Sequence, residues 1–139
     1  MDLGNKIKRI KNDMIVKGNT AVADFISKLF ESRTQAHILH LTTTSYAKHK
    51  ALDDYYNDIV GFADDIAEAY QGKYGIIKGY NCGTINDSLD PISYLESIRT
   101  YVNTNRYTAF KQTDTNLQNI IDEVVTLLDS TLYKLKNLS

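Results

Sequence analysis

The chain has 139 residues, 42% of them hydrophobic and 24% charged, which is typical of one globular domain and argues against disorder. A net charge of −1 argues against a protein that binds nucleic acid over its whole surface. The single cysteine, Cys82, excludes an intrachain disulfide framework, and no apolar run approaches the ~18 residues of a membrane span. These features predict a cytoplasmic protein without a membrane segment.

Residues 1–18 are predicted to form a basic N-terminal arm or a short helix. Five cations surround a few apolar positions: Lys6, Lys8, Arg9, Lys11 and Lys17. Displayed on a multimer, such an arm can bind DNA phosphates without sequence preference. Asp2 and Asp13 dilute the charge, and a solvated surface is the more ordinary interpretation of such a run. Non-specific DNA binding is therefore a weak alternative.

Residues 19–139 are predicted to form the bundle itself, starting with two amphipathic helices. The first is capped by Asn19 or Thr20, and its apolar stripe consists of Val22, Phe25, Ile26, Leu29, Phe30, Ala36 and Leu41. The second stripe is Tyr46, His49, Leu52, Tyr56, Ile59, Ala63, Ile66 and Tyr70. An unbroken helix over 20–71 would measure roughly 75 Å. We place a break at 41–45, where three threonines and a serine disfavour helix.

The second half of the chain begins with a connection and a third helix. Residues 72–90 contain four glycines and are predicted to form one long crossover. Asp90 followed by Pro91 is typical of a helix start, with a capping carboxylate before a proline at the first helical position. We expect the third helix to end near Phe110.

The last helix is capped by Asp114 or Thr113 and has the most regular apolar stripe: Leu117, Ile120, Ile121, Val124, Leu127, Leu128, Leu132 and Leu135. No segment shows the alternation of a strand. Four helices with one long crossover between the second and third are the order of a ferritin-like four-helix bundle. The predicted fold class is therefore all-α.

Four side chains of the first two helices are common metal ligands: His37, His49, Asp64 and Glu68. Asp64 and Glu68 lie one helical turn apart, so their carboxylates project from one face. His49 lies fifteen residues before Asp64, which is roughly 22 Å along one helix. A single chain cannot close that distance. The spacing predicts an antiparallel twofold dimer in which the histidines of one chain face the carboxylates of the other.

Neighbouring residues leave alternatives open. Asp53, one turn after His49, can join the histidine half of the site. Asp65 lies three residues before Glu68 and is as able as Asp64 to face the interface, while His40, one turn after His37, is an additional or replacement ligand. Glu31 is a weaker hypothesis, as a ligand inside the bundle. We expect packing roles for Tyr46, Tyr55, Tyr56 and Tyr70, with electron transfer as the weaker alternative.

Three segments together resemble the Dps proteins, the DNA-binding proteins from starved cells. The segments are Gln35-Ala36-His37, His49-Lys50-Ala51-Leu52-Asp53 and Asp64-Asp65-Ile66-Ala67-Glu68. Dps proteins carry a QAHW opening, a histidine twelve residues on, an aspartate four after it, and a DxxxE ending at the same offsets. The resemblance is ungapped over residues 35–68 and looser in the last helix. Ile38 replaces the family's tryptophan, and the Trp-Asn-x-x-Gly connector is absent.

The resemblance implies a four-helix subunit that assembles into a hollow dodecamer. Fe(II) would be oxidised at the twofold interfaces, typically by hydrogen peroxide, and stored as ferric mineral, which protects against oxidative damage. His37, His49 and Asp53 would come from one subunit, and Asp64 and Glu68 from its partner. Some bacteriophage ferritin-like proteins share this pattern. A second class therefore remains open, a structural or interaction oligomer with little ferroxidase activity.

Overall fold

The computed structural model describes the backbone of residues 2–139, and the side chains of residues 2–7 and 20–139. Within that part of the chain all regular structure is helical, which confirms the all-α class. The helices are α1 (Leu3–Thr42), α2 (Tyr46–Tyr74), α3 (Pro91–Ala109) and α4 (Thr115–Asn137). None of the described helices is long and apolar enough to cross a membrane.

Helix α1 begins far earlier than the sequence indicated. Asp2 caps it, and its carboxylate accepts a hydrogen bond from the Gly4 amide at 3.3 Å. The predicted cap at Asn19 or Thr20 is wrong, because the helix continues through both residues. A glycine inside a helix, here Gly18, costs only about 1 kcal/mol, and the region has no proline that would stop the backbone.

The basic residues of the N-terminal region therefore lie on the first turns of α1 rather than on a separate arm or short helix. Lys6 is exposed. The side chains of Lys8, Arg9, Lys11 and Lys17 lie outside the described residues. DNA binding through this region stays a prediction.

The predicted break between the first two helices is confirmed. Helix α1 ends at Thr42 and α2 begins at Tyr46, so only residues 43–45 connect them. The Thr43 hydroxyl accepts from the Ser45 amide at 3.2 Å, and the Ser45 hydroxyl accepts from the Lys48 amide at 3.3 Å. Such local side-chain bonds compete with helix continuation and cap the helix that follows.

The helices pack in a ring within the described residues: α1 contacts α2 and α3, and α4 contacts the same two. In the part of the chain that the structure describes, no contact joins α1 to α4 or α2 to α3, so these pairs lie on the diagonals. Ion pairs mark the antiparallel neighbours, with Arg99 of α3 bound to Asp129 of α4 at 2.9 Å. Lys134 near the end of α4 approaches Asp54 near the start of α2 at 3.6 Å.

The crossover of residues 75–90 runs back along α1. The Asn81 amide donates to the Ser27 hydroxyl at 2.9 Å. Farther on, the Gln35 side chain exchanges two hydrogen bonds with the Asn86 backbone, at 2.9 and 3.0 Å. Because the loop spans the length of the bundle in this way, α3 starts at the end where α2 starts, and the two helices are parallel.

Most members of the predicted apolar stripes are buried or half-buried, but two of them are exposed. Leu41 is 65% exposed and Tyr46 is 76% exposed, because they flank the α1–α2 connection, where no helix faces them. Leu39 and Tyr55 occupy the buried positions instead. The Tyr55 hydroxyl contacts the Ser32 hydroxyl at 2.7 Å, and burial raises the pKa of Tyr55.

A buried carboxylate joins the far end of α2 to the start of α4. Asp114 is 3% exposed and accepts hydrogen bonds from the Lys73 ammonium and the Tyr74 hydroxyl. The bond from Lys73, followed by the one from Tyr74, holds the pKa of Asp114 below its ordinary value against the opposing effect of desolvation.

We predict that Asp114→Asn destabilises the protein at neutral pH and that the deficit disappears in acid. The folded-state pKa of Asp114 is lowered, so its stabilising contribution is complete above the unfolded-state pKa of about 3.9. It is lost as pH falls through the lower folded-state pKa. Urea unfolding of both proteins between neutral and acidic pH measures the difference, and a constant difference across the range would contradict the assignment.

We further predict opposite effects for two neighbouring glycines. Gly75 follows the last residue of α2 and has φ +99°, a backbone conformation that residues with a Cβ rarely adopt. Gly75→Ala should therefore lower the free energy of unfolding by about 1–3 kcal/mol. Gly72 lies inside α2, and a Cβ added there would meet no other atom. Gly72→Ala should therefore stabilise the folded protein by up to about 1 kcal/mol. Denaturant unfolding compares the two, and effects of the same sign would refute the backbone explanation.

Candidate functional site

The three histidines of the chain meet at one end of the α1–α2 pair. His37 and His40 lie in the last two turns of α1, and His49 lies in the first turn of α2. The imidazole of His40 stacks on that of His49, with ring centroids 3.6 Å apart and planes inclined by 20°. The centroids of His37 and His40 are 5.9 Å apart. The short connection therefore gathers every imidazole of the protein into one cluster.

His40 and His49 are also joined by two reciprocal hydrogen bonds. Nδ1 of His40 donates to the carbonyl of His49 at 2.7 Å, and Nδ1 of His49 donates to the carbonyl of His40 at 2.8 Å. Because a carbonyl oxygen can only accept, a neutral ring in either place must carry its proton on Nδ1. The lone pair is then on Nε2, the atom with which such a histidine binds a metal ion.

Tyr56 and Asp53 extend the cluster along α2. The ring of Tyr56 stacks on His37, with centroids 4.1 Å apart and an inclination of 13°. A hydrogen bond from the Tyr56 hydroxyl is the largest cause that lowers the pKa of Asp53, and the nearby His40 and Lys50 act in the same direction. Asp53 is therefore an anionic carboxylate beside the imidazoles, as the histidine half of a metal site requires.

Access to the rings differs within this histidine cluster, which consists of His37, His40, His49, Asp53 and Tyr56. His40 is 8% exposed, whereas the other four members are half-buried. Rings stack on His40 or meet it edge-on from three sides, the third being Tyr56 at 5.2 Å. The half-buried members of the cluster can contact a ligand in solvent, whereas His40 is buried beneath them.

The carboxylate candidates lie elsewhere on α2. Asp64, Asp65 and Glu68 are all exposed, because Ala63 and Ile66 of the same turns face the core. None of the three takes part in an ion pair among the described residues. The structure places His37 and His49 each in ring contact with His40, but these carboxylates lie fifteen or more residues from His49. No group of three His, Cys, Asp or Glu side chains is placed to hold a metal ion in the described part of the chain.

Two other residues, the weak ligand candidate Glu31 and the single cysteine Cys82, have structural partners. Glu31 forms an ion pair with Lys28 at 3.1 Å. Cys82 is exposed, and its Sγ lies 3.5 Å from the Ser27 carbonyl. Both residues therefore help to attach the crossover region to α1 or to order α1 itself.

The sequence did not reveal the contacts that His40 and Tyr56 make. A signal for the first was present, because His40 and His49 are nearly equidistant from the break at residues 43–45. Antiparallel helices place such residues opposite each other. For Tyr56 a signal was also present, because Asp53 and Tyr56 are three residues apart on α2, a spacing at which side chains of one helix can meet.

We predict that Tyr56→Phe raises the pKa of Asp53 toward its ordinary value. The variant keeps the ring that stacks on His37 and removes the hydroxyl that is the largest cause of the lowered pKa. NMR titration of the Asp53 side-chain carboxyl measures the change. Tyr133→Phe, which alters an exposed tyrosine on α4, is the matched control. An unchanged Asp53 titration in Tyr56→Phe would contradict the hydrogen bond.

Comparison with known proteins identifies the chain only at the level of a family. No curated protein and no solved structure shows a significant match to it. One family model, described as a family of unknown function, matches residues 40–135. The match covers most of the chain and includes His40, His49 and both halves of α2, but not His37. The chain therefore belongs to the family DUF5856.

Proposed function

We propose that this protein is a Dps-like miniferritin, which oxidises Fe(II) at sites between two subunits and stores the ferric product. The proposal takes the subunit as a ferritin-like four-helix bundle and the assembly as a homo-oligomer, with a dimer as the smallest active unit and a dodecamer as the expected shell. It takes Fe(II) as the substrate and another copy of the chain as the partner.

The order of the helices supports the ferritin-like assignment. Helices α1 and α4 lie on one diagonal of the ring and α2 and α3 on the other, and the long crossover makes α2 and α3 parallel. One long crossover between the second and third helices distinguishes ferritin-like bundles from simple up-and-down bundles.

The observation that supports the functional proposal is the distribution of potential ligands over two separate parts of α2, which the proposal takes as two half-sites. Its first turns, with the end of α1, hold His37, His49 and Asp53 in one cluster. Asp64 and Glu68 are exposed, without ion pairs among the described residues, roughly 22 Å farther along the helix. A twofold partner with its α2 antiparallel would place each half opposite the other.

The donor set fits iron. Imidazole nitrogen and carboxylate oxygen are ligands that suit Fe(II), whereas thiolates would favour softer metals. The Nδ1 bond of His49 directs its Nε2 lone pair to the ligand position. Asp64 and Glu68 supply negative charge that favours the product Fe(III). For hydrogen peroxide as oxidant, two Fe(II) ions each lose one electron, the O–O bond breaks, and hydrolysis of the ferric ions with two waters releases four protons.

A binding or structural oligomer without oxidase activity is the second candidate. It needs only the helical bundle and its association with further copies, and the absence of a group of three potential ligands within the described part of a single chain is compatible with either candidate. The two candidates share the fold and the dimer. They differ in whether the histidines of one subunit and the carboxylates of its partner form one metal site, and the following experiments test whether they do.

We predict that His49→Ala and Asp64→Ala each slow ferric formation at least about tenfold, because each removes a metal ligand. Purified proteins receive Fe(II) with peroxide or in air, and near-ultraviolet absorbance follows the ferric product. Glu123→Ala, which removes an exposed carboxylate of α4, is the matched control and should oxidise iron at the wild-type rate. Equal rates in all four proteins would refute the ferroxidase proposal.

Mixed oligomers of the two inactive variants test the intersubunit geometry in the same assay. A His49→Ala subunit paired with an Asp64→Ala subunit contains one intact site, so a random mixture should regain about a quarter of the wild-type sites. The control is an oligomer made only of subunits that carry both His49→Ala and Asp64→Ala, and it should contain no intact site. No recovery in the mixture, with oligomers confirmed by sedimentation, would exclude a site shared between subunits.

A further inference from the structure

His40 has the properties of a support rather than of a ligand. It is the most buried member of the histidine cluster, at 8% exposure. Its ring face is covered by His49 at a centroid distance of 3.6 Å, while His37 and Tyr56 meet it nearly edge-on at 5.9 and 5.2 Å. A ring enclosed on these sides has little room to approach an ion that lies in solvent or at an interface.

The contacts of His40 determine the orientation of the His49 ring. Stacking defines the plane of the His49 imidazole, and within that plane Nδ1 of His49 points at the His40 carbonyl, 2.8 Å away. The carbonyl belongs to the backbone and is present whatever side chain occupies position 40. The His40 ring is the part that prevents His49 from rotating about its side-chain torsions and losing this bond.

We propose that His40 is a positioning residue that holds His49 in the Nδ1–H tautomer, with the Nε2 lone pair directed outward for a divalent metal ion. The inference rests on the proposed function for the metal that His49 binds. It assigns His40 no bond to that metal. The aromatic ring of His40 is the part that matters, and its own Nε2 is dispensable.

Two substitutions separate the roles of the ring and the nitrogen. His40→Phe keeps an aromatic face for His49 and removes both ring nitrogens. It therefore loses the hydrogen bond from Nδ1 of His40 to the His49 carbonyl. His40→Ala keeps the backbone carbonyl and removes the stacking ring. Leu41→Ala, at an exposed neighbouring position, is the matched control. If His40→Ala fails to fold, the comparison of His40→Phe with wild type still decides whether a nitrogen is required.

The first measurement uses the metal-free protein at alkaline pH, where imidazoles are neutral. Nitrogen-15 NMR of the side chains reports which nitrogen of His49 carries the proton. We expect the Nδ1–H form in wild type, His40→Phe and Leu41→Ala, and a mixture of tautomers in His40→Ala. An unchanged His49 tautomer in His40→Ala, or a mixture in His40→Phe, would overturn the proposal.

The second measurement is calorimetric titration with Zn²⁺, a redox-inert ion that imidazole and carboxylate also bind. We expect His40→Phe to bind within about threefold of wild type and His40→Ala at least about tenfold more weakly, the effect typical of outer-shell groups. Equal losses in both variants would identify His40 as a ligand and overturn the proposal. If wild type binds no Zn²⁺, the metal part of the proposed function fails, while the NMR result still decides the positioning role.

Discussion

The connection between α1 and α2 has only three residues, and much of the candidate chemistry of this protein depends on it. A connection this short forces the two helices to be antiparallel neighbours. Residues at similar distances from it then lie opposite each other, which brings His40 against His49. Farther from the connection, His37 of α1 stacks on Tyr56 of α2. Thr43 and Ser45 make the connection short by supplying hydroxyls that satisfy backbone amides at the break. The histidine cluster is thus a consequence of local helix-capping chemistry.

The crossover imposes the second constraint. Its backbone is attached to α1 through Ser27 and Gln35, so it returns the chain to the end where α2 began. Helix α4 then runs antiparallel to both of its neighbours, and the bond from Lys73 to the buried carboxylate of Asp114 closes the opposite end of the ring. The end with the histidines and the end with Asp114 are therefore stabilised by different interactions, and a change at one need not affect the other.

Charge is distributed unevenly along α2. Its exposed face carries Asp54, Asp58, Asp64, Asp65 and Glu68, of which Asp54 approaches Lys134. In a single chain, water solvates these carboxylates at little cost. Two copies of this face brought together would repel each other unless cations or imidazoles lay between them. The electrostatics of α2 therefore disfavour direct contact between two acidic segments.

Periodicity alone was sufficient for the existence and order of the helices, because each buried face repeats every three or four residues. The crossover predicted at residues 72–90 is close to the observed one, although α2 continues through 72–74 before α3 begins at Pro91. The start of α1 was misplaced, since Asn19 and Thr20 are good caps but are equally compatible with a continuing helix. Leu41 and Tyr46 were assigned to the core because their spacing fits, although at a helix end no neighbour covers them.

The sequence by itself determined the fold class and the ligand types, since apolar spacing and residue chemistry are properties of the local chain. It also required that His49 and Asp64 be far apart, because one helix separates them. Only the tertiary structure decided which rings touch, which nitrogen of His49 is free, and that His40 is buried beneath its neighbours. Those features depend on how α1 and α2 pack across their connection, and long-range packing is not encoded in the spacing of either helix alone.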